Sequence, residues 1–496
     1  MANSRRYMVS GKPASSGLLV IYLFCFSVSI CVASSAGSLQ KKAEQPLRSQ
    51  SIPAARLKQY SDLSVQWMQE YLRVDTTNPP GHEARAAAFL KRILDQEGIE
   101  NRIFNYAPGR ANLWARLPHT TQSPERPIIL LNHMDVVTSD AAHWKYPPFS
   151  GQIAGGYMYG RGAQDMKDEA MAQLMVLVML KRERVALNRD VIFLATADEE
   201  VADTGSDWMI AHQRPLLGNS EYLITEGGVN LLENGKLKYI GVDVAEKSTF
   251  WLHVVAHGRA GHGSLPIADS APNALVRALN RIIAYRTPLK VIPVVEESVT
   301  AMAAFEPPER AQEFRNIREA IKNKKFQDEV GDDESLNYLF RNTISLTMLG
   351  GSPQTNVIPP DAWANIDVRL LPGEDPVQFL KQIRDIAGPE VEINPLTNDF
   401  RMANASPTNT ALFAAIHDVT EHYFPGTPVV PRLDSGTTES NLYRQLGMIC
   451  YGYLPYTATY EESETEHNNN ERIRVEELRR GPRMLFDLVA EVAGAK

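Results

Sequence analysis

Histidines and carboxylates recur in this chain where apolar runs end, and that pairing of residue types can do hydrolytic chemistry. Leu131-Asn132-His133-Met134-Asp135 closes one such run. Alternate residues of a strand face the same side, so Asp135 can reach the His133 ring. A metal-ligating histidine needs an acceptor of this kind to fix its tautomer, although a strand-end histidine beside an acid is also common without any ligand. Gly160-Arg161-Gly162-Ala163-Gln164-Asp165-Met166-Lys167-Asp168 is a Gly-rich turn that delivers an acid to a helix start, a pattern that helix capping would also explain. Ala197-Asp198-Glu199-Glu200 places consecutive acids at the end of another apolar run. Buried with nothing between them they would repel, and a divalent cation removes that repulsion. One carboxylate of such a pair can bind metal while its neighbour serves as general base, the division of labour that a metal hydrolase requires.

Two further segments are unremarkable singly: Thr225-Glu226-Gly227-Gly228, after the short apolar stretch 222–224, and Glu466-His467-Asn468-Asn469-Asn470-Glu471-Arg472-Ile473 near the C-terminus. Taken together, His133, Asp165, Glu200, Glu226 and His467 form a mixed imidazole and carboxylate set. At least the first four follow strands or open a helix, at the sheet edge where open α/β folds hold their sites.

The elements that must position these groups alternate between strands and helices. The runs 127–133 and 190–196 are continuously apolar with polar flanks, and 166–184 reads as a long helix between them, which predicts buried parallel strands with crossover helices. From Ala170 to Leu180 that helix is apolar all round apart from Gln173, so it should lie against a sheet and beneath other structure. After Gly241 the order becomes strand, helix, two strands, helix, strand, a βαββαβ pattern that suggests a small two-layer domain inserted into the first. A charged, Pro-containing segment from Pro293 to Arg341 is longer than that domain needs, and its role is not readable. The expected layout is a leader over 1–36, a linker over 37–53, a catalytic domain over 54–244 and 398–496, and the inserted domain over 245–397.

In order and spacing the five segments resemble the M20 metallopeptidase family, from about Leu57 to the C-terminus. The resemblance implies a three-layer zinc-exopeptidase-like catalytic domain of α/β class, with a ferredoxin-like lid that also serves dimerisation. It implies two Zn2+ per chain, His133 and Glu226 binding one, Glu200 and His467 the other, and Asp165 bridging them. Glu199 would be the general base, and Asp135 the support of His133. Nitrogen and oxygen donors suit zinc, but Co2+ or Mn2+ would also fit. Two ions about 3.5 to 4 Å apart can share a water and polarise the scissile carbonyl.

Matched lid positions supply substrate contacts. Gly261-His262-Gly263-Ser264 is similar to the motif whose histidine stabilises the oxyanion, with Gly263 where the family often has Ser; whether His262 acts within its own chain or on a partner's site stays open. Asn356 and Arg369 match residues that hold the substrate carbonyl region and free carboxylate, a task suited to arginine. Ser435-Gly436-Thr437-Thr438-Glu439-Ser440 is similar to a Gly-Gly-Thr-Asp-Ser-like loop near the carboxylate, departing at Thr437 and Glu439.

The function implied is hydrolysis of an amide next to a free carboxylate, first as carboxypeptidase or dipeptidase action on short peptides. The alternative is deacylation of N-acyl amino acids; the long insert and the Glu-Gly-Gly segment look more like the carboxypeptidase S and N-acyl-amino-acid hydrolase branch than the small dipeptidases, which leaves both open. A rival from another class is a non-catalytic binding protein on the same fold.

Composition is that of a globular chain, 496 residues with 44% apolar and 22% charged, and the length favours two domains. A net charge of -8 with no concentrated basic stripe argues against nucleic acid as a partner. Arg5, Arg6 and Lys12 precede an apolar run from Gly17 to Ala33 and then Ser34-Ser35-Ala36, which reads as an export signal with a cut after Ala36. Ser4-Arg5-Arg6 resembles a twin-arginine signal; the alternative is an uncleaved anchor. Cys25 and Cys31 lie in that leader, which leaves Cys450 alone in the mature chain and excludes an intrachain disulfide or thiolate zinc cluster there.

Overall fold

The structure, a computed structural model, describes residues 47–397 and 401–495. The leader, its twin-arginine pattern, its cleavage position and its two cysteines lie outside the described residues, as does the first part of the expected linker. The rest of that linker is not one. Arg48–Ser51 forms a 3-10 turn with Leu47 and Ile52 buried. Ser49 donates from its backbone N–H and hydroxyl to Asp487 at 2.7 and 2.6 Å, which fastens the segment to the C-terminal helix. Two separated apolar residues and one serine–aspartate contact make no periodic pattern, so apolar periodicity could not reveal this docking.

A sheet of eight strands forms the main body, in the order Glu100–Ala107, Arg110–Leu117, Val191–Thr196, Ile128–His133, Tyr222–Thr225, Ile449–Gly452, Ile240–Glu246, Val429–Asp434. The four in the middle, from Val191–Thr196 to Ile449–Gly452, run parallel. Their continuous apolar runs reflect burial on both faces. Ile128 and Leu130 enter one core and Ile129 and Leu131 the other; Phe193 and Ala195 separate from Ile192 and Leu194 in the same way.

The helix Lys167–Arg182 is buried at every position from Lys167 to Leu180. It lies between the sheet and a layer made by Ala54–Leu72 and Val475–Ala493. Its apolar residues therefore find partners all round, and its N-terminal end is fixed with little freedom to tilt. The opposite face is covered by Thr204–His212 and Ser440–Gln445, packed through Met209, Leu442 and Tyr443.

The lid sheet has the expected βαββαβ order. Its strands Thr343–Gly350, Asp361–Leu370, Ser248–His257 and Glu392–Pro395 are all antiparallel, with Ala271–Ala284 and Pro376–Ala387 packed into one core with them. The span 245–397 is nevertheless not one continuous domain. Residues 293–340 form a set of short helices whose buried Val295, Val299, Phe314, Phe326 and Phe340 join the main core and not the lid core. The chain leaves the lid after Ala271–Ala284, packs against the strand Val429–Asp434, and returns at Thr343. Among the described residues, no helix is long and apolar enough to cross a membrane.

Candidate active site

The parallel strands end in the residues singled out above. Ile128–His133 ends on His133, Val191–Thr196 leads into Asp198-Glu199-Glu200, and Tyr222–Thr225 is followed by Glu226. Asp165 sits two residues before the buried helix. His467 comes from the long connection after Ile449–Gly452.

Asp165 is central to the geometry. Its Oδ1 is 2.9 Å from His133 Nε2 and its Oδ2 is 2.7 Å from His467 Nε2. Beside the first histidine lies Glu226 Oε2 at 3.3 Å, and beside the second Glu200 Oε2 at 3.3 Å. Two candidate metal groups result, His133 with Asp165 and Glu226, and Asp165 with Glu200 and His467. One carboxylate thus offers one oxygen to each group.

The donor set suits divalent cations. Burial raises Glu199 and Glu200 above the ordinary glutamate range, with Glu226 adding repulsion at Glu199, and it pushes Glu226 up to about 8. Burial also opposes ionisation of Asp165, yet its contacts with His133 and His467 hold it far below the ordinary range. Hydrogen bonds to Asp165 and Glu200 push His467 up to about 11. Four buried or half-buried carboxylates face two histidines here, and Glu200 Oε1 is buried without a hydrogen-bond partner. Imidazole nitrogen with carboxylate oxygen is a donor set for Zn, Co or Mn.

Asp135 is placed differently from the sequence expectation. Its carboxylate stands 3.7 Å from His133 Nδ1, outside hydrogen-bond range, and its own backbone carbonyl accepts from that nitrogen at 3.0 Å. The carboxylate instead accepts the backbone N–H groups of Asp198, Glu199 and Glu200 at 2.9, 3.2 and 3.2 Å. One residue therefore orients a histidine through its main chain and shapes the acidic turn through its side chain. Asn78, which sequence reasoning missed, donates to both Asp135 and Asp198 at 2.8 Å. Arg110 reaches Asp198 at 2.9 Å and Glu83 at 2.6 Å. Asp198 has φ +73°, an unfavourable backbone region for a non-glycine residue that these contacts hold in place.

Glu471, also missed, ties the fifth segment to the second. It accepts from Arg161 Nη1 at 2.6 Å and from the backbone N–H groups of Gly162 and Gln164 at 2.9 and 2.7 Å. Gly162 has φ +83°, and a Cβ there would stand 2.7 Å from Val136, so the turn that aims Asp165 needs glycine.

A cleft of about 870 Å³ opens over this cluster, lined among others by Asp165, Glu199, Glu200, Glu226, His467, Arg369 and Gly436. Arg369 comes from the lid strand Asp361–Leu370. It contacts Asp367 at 2.8 and 3.2 Å and donates to Thr249 at 3.0 Å. The Gly436 N–H donates to Asp434 at 3.0 Å. His262 and Asn356 come together on a small ribbon, where Gly263 N–H donates to the Asn356 carbonyl at 2.8 Å. Neither of the two lines the cleft.

Residues 129–491 match the family described as Peptidase family M20/M25/M40. The chain belongs to this peptidase family. As an M20 member it is a hydrolase of amide or peptide bonds, with a catalytic domain and a lid domain. It is 26% identical over 376 residues to a human protein named N-fatty-acyl-amino acid synthase/hydrolase PM20D1, covering 73% of this chain and 74% of that one. Aminoacylase-1A of Rattus norvegicus is 26% identical over 438 residues, covering 87% and 95%. Among solved structures, an M20 family metallo-carboxypeptidase from Sulfolobus solfataricus superposes with a TM-score of 0.63 at 18% identity, over 86% of this chain and 98% of that one. That structural likeness carries the fold of the M20 catalytic domain and lid. Metal ions belong to the family's chemistry, and the two residue groups around Asp165 are their candidate holders.

Proposed function

We propose that this M20 hydrolase uses two zinc ions to cleave an amide bond next to a free carboxylate, in short peptides or N-acyl amino acids. The observation that carries the reading is Asp165, whose two oxygens each face a separate histidine and glutamate group. His133 and Glu226 would hold one ion, Glu200 and His467 the other, with Asp165 between. Bound there, the ions would polarise the scissile carbonyl and lower the pKa of the attacking water. Glu199, next in sequence to Glu200 and on the same cleft wall, takes the proton of that water and delivers it to the leaving amine. Asp135 fixes the turn that carries Glu199 and Glu200 by accepting its three backbone N–H groups. Arg369, turned to Asp367 and Thr249 in the structure, exchanges these partners for the substrate carboxylate, a charge-assisted and bidentate match, on the cleft wall it shares with Gly436.

His262 and Asn356 complete the site by lid closure or from the lid of a second copy in a homodimer. Sedimentation of the purified chain, compared with mixing of a His262→Ala chain and a Glu199→Gln chain, separates the two routes: recovered activity in the mixture requires a dimer. The N-acyl amino acid reading gains from the relatives, since PM20D1 and aminoacylase cover most of the chain. Export directed by the first 36 residues is part of the proposal, and N-terminal sequencing of the mature protein tests it.

The deciding experiment offers the zinc-loaded protein a panel of dipeptides, longer peptides and N-acyl amino acids while free amine is followed. Release from substrates with a free carboxylate, and none from their amides, is expected. Equal turnover of carboxylates and amides would refute the role given to Arg369.

A further inference from the structure

A second, smaller cavity of about 110 Å³ adjoins the catalytic cleft. Gln164, Gly228, Val229, Leu454 and Glu466 line both spaces. Gln164 and Glu466 are the chain neighbours of Asp165 and His467, and Gly228 is two residues from Glu226. The cavity therefore borders the part of the cleft beside the candidate metal groups. No residue of the lid sheet and none of the 434–438 loop lines it. It thus lies on the catalytic-domain side of the cluster, whereas Arg369 and Gly436 bound the lid side of the cleft.

The walls come from two small three-stranded sheets. Leu231 and Ala458 are paired across one, and Ile473 belongs to the other. Most polar groups in the walls are turned to one another; the Glu466 carboxylate, which lines both the cavity and the cleft, takes no part in these contacts. Gln164 Nε2 donates to the Glu462 carbonyl at 2.9 Å and to Thr465 at 2.7 Å. Arg474 meets Glu462 at 3.2 Å, Tyr456 donates to the Asp168 carbonyl at 2.8 Å, and Asn230 donates to the carbonyls of Leu454 and Tyr456 at 2.7 and 2.8 Å. Val229, Leu231, Leu454, Ala458 and Ile473 are left to meet an occupant, and such a surface favours an uncharged aliphatic group.

We infer that this cavity is the acyl-side specificity pocket, taking an aliphatic substituent of up to about four carbons from the part of the substrate opposite its free carboxylate. The inference rests on the proposed amide hydrolysis, with the carboxylate on the Arg369 side. The size limit follows from the volume: a cavity of roughly 150 Å³ holds benzene, and a water-sized heavy atom takes about 30 Å³. A group that fits gains contact along its whole length; a longer one must leave its end in the cleft or force the walls apart.

The test is kcat/KM for an N-acyl series on one amino acid, from acetyl through butyryl and isovaleryl to octanoyl and myristoyl, with a lysyl dipeptide as a cationic probe. The expected wild-type profile rises about tenfold or more from acetyl to the four- and five-carbon acyl groups and falls beyond them. Ala458→Leu, which reduces the space, should remove the rise while retaining acetyl hydrolysis; Leu231→Ala, which enlarges it, should move the maximum to longer chains. Thermal unfolding reports whether each variant is folded, and either one alone tests the inference. A profile that climbs steadily to myristoyl, or one unchanged in a folded variant, overturns the pocket while leaving amide hydrolysis intact. A preference for the lysyl probe overturns its aliphatic character. No turnover of any member overturns the proposed function and the pocket with it.

Discussion

Among single side chains, Glu199 and Glu200 show how two identical residues acquire different tasks. Glu200 Oε2 lies 3.3 Å from His467, whereas Glu199 lines the cleft and has no carboxylate contact to either histidine among those described. Glu199→Gln should therefore keep its metal and lose hydrolysis by about 10²- to 10⁴-fold, the range attached to a positioned base. Metal analysis alongside turnover checks this, and undiminished turnover would remove Glu199 from its role. Asn78→Ala withdraws a donor from both Asp135 and Asp198. It should cost about 1.5–3 kcal/mol in denaturant unfolding, the range for losing hydrogen bonds to charged groups, since Asp135 keeps its backbone donors and Asp198 keeps Arg110. Four of the candidate ligand residues, His133, Asp165, Glu200 and Glu226, stood out because they follow apolar runs or precede a helix start, where sequence position implies an edge of the sheet; His467, on the long connection after Ile449–Gly452, stood out only through the likeness of its segment to the family. Asn78, Arg110 and Glu471 were not legible: each acts on residues 27 to 310 positions away, and such contacts leave no local pattern. The second task of the Asp135 carboxylate was not legible for a related reason. A strand spacing of two shows that it shares a side with His133, but not that the next strand's turn competes for it.

Helices and strands were readable in proportion to how continuous their apolar patterns are. The central helix announced its burial by being apolar on all sides, and the parallel strands by unbroken apolar runs. Leu177→Ala, in the fully buried Lys167–Arg182 helix, should cost about 2–5 kcal/mol, measured by chemical denaturation. The 293–341 segment resisted reading because its apolar residues are spread over several short helices, none with a stripe long enough to assign to a core. Its Phe314 is buried in the main core, so Phe314→Ala should destabilise the catalytic body by about 3–5 kcal/mol. Loss of lid function with unchanged overall stability would contradict that placement.

At the scale of the molecule, the cleft is built from two bodies: the catalytic domain supplies the Asp165 cluster and the lid strand Asp361–Leu370 supplies Arg369. The βαββαβ order of the lid could be read from alternating apolar strands and amphipathic helices. Its interruption by a segment belonging to the other core could not, because chain order does not say which core a helix joins. Arg369→Ala should raise KM for free-carboxylate substrates more than it lowers kcat, the signature of lost ground-state and transition-state binding alike. The account as a whole rests on Asp165 serving two ions at once. Elemental analysis of the zinc-reconstituted protein, wild type beside Asp165→Ala, measures that directly. Two zinc ions per wild-type chain, with hydrolysis and most of the metal lost in Asp165→Ala, is the predicted result; a wild-type chain saturating at one ion, or an Asp165→Ala chain that still holds two, would contradict it.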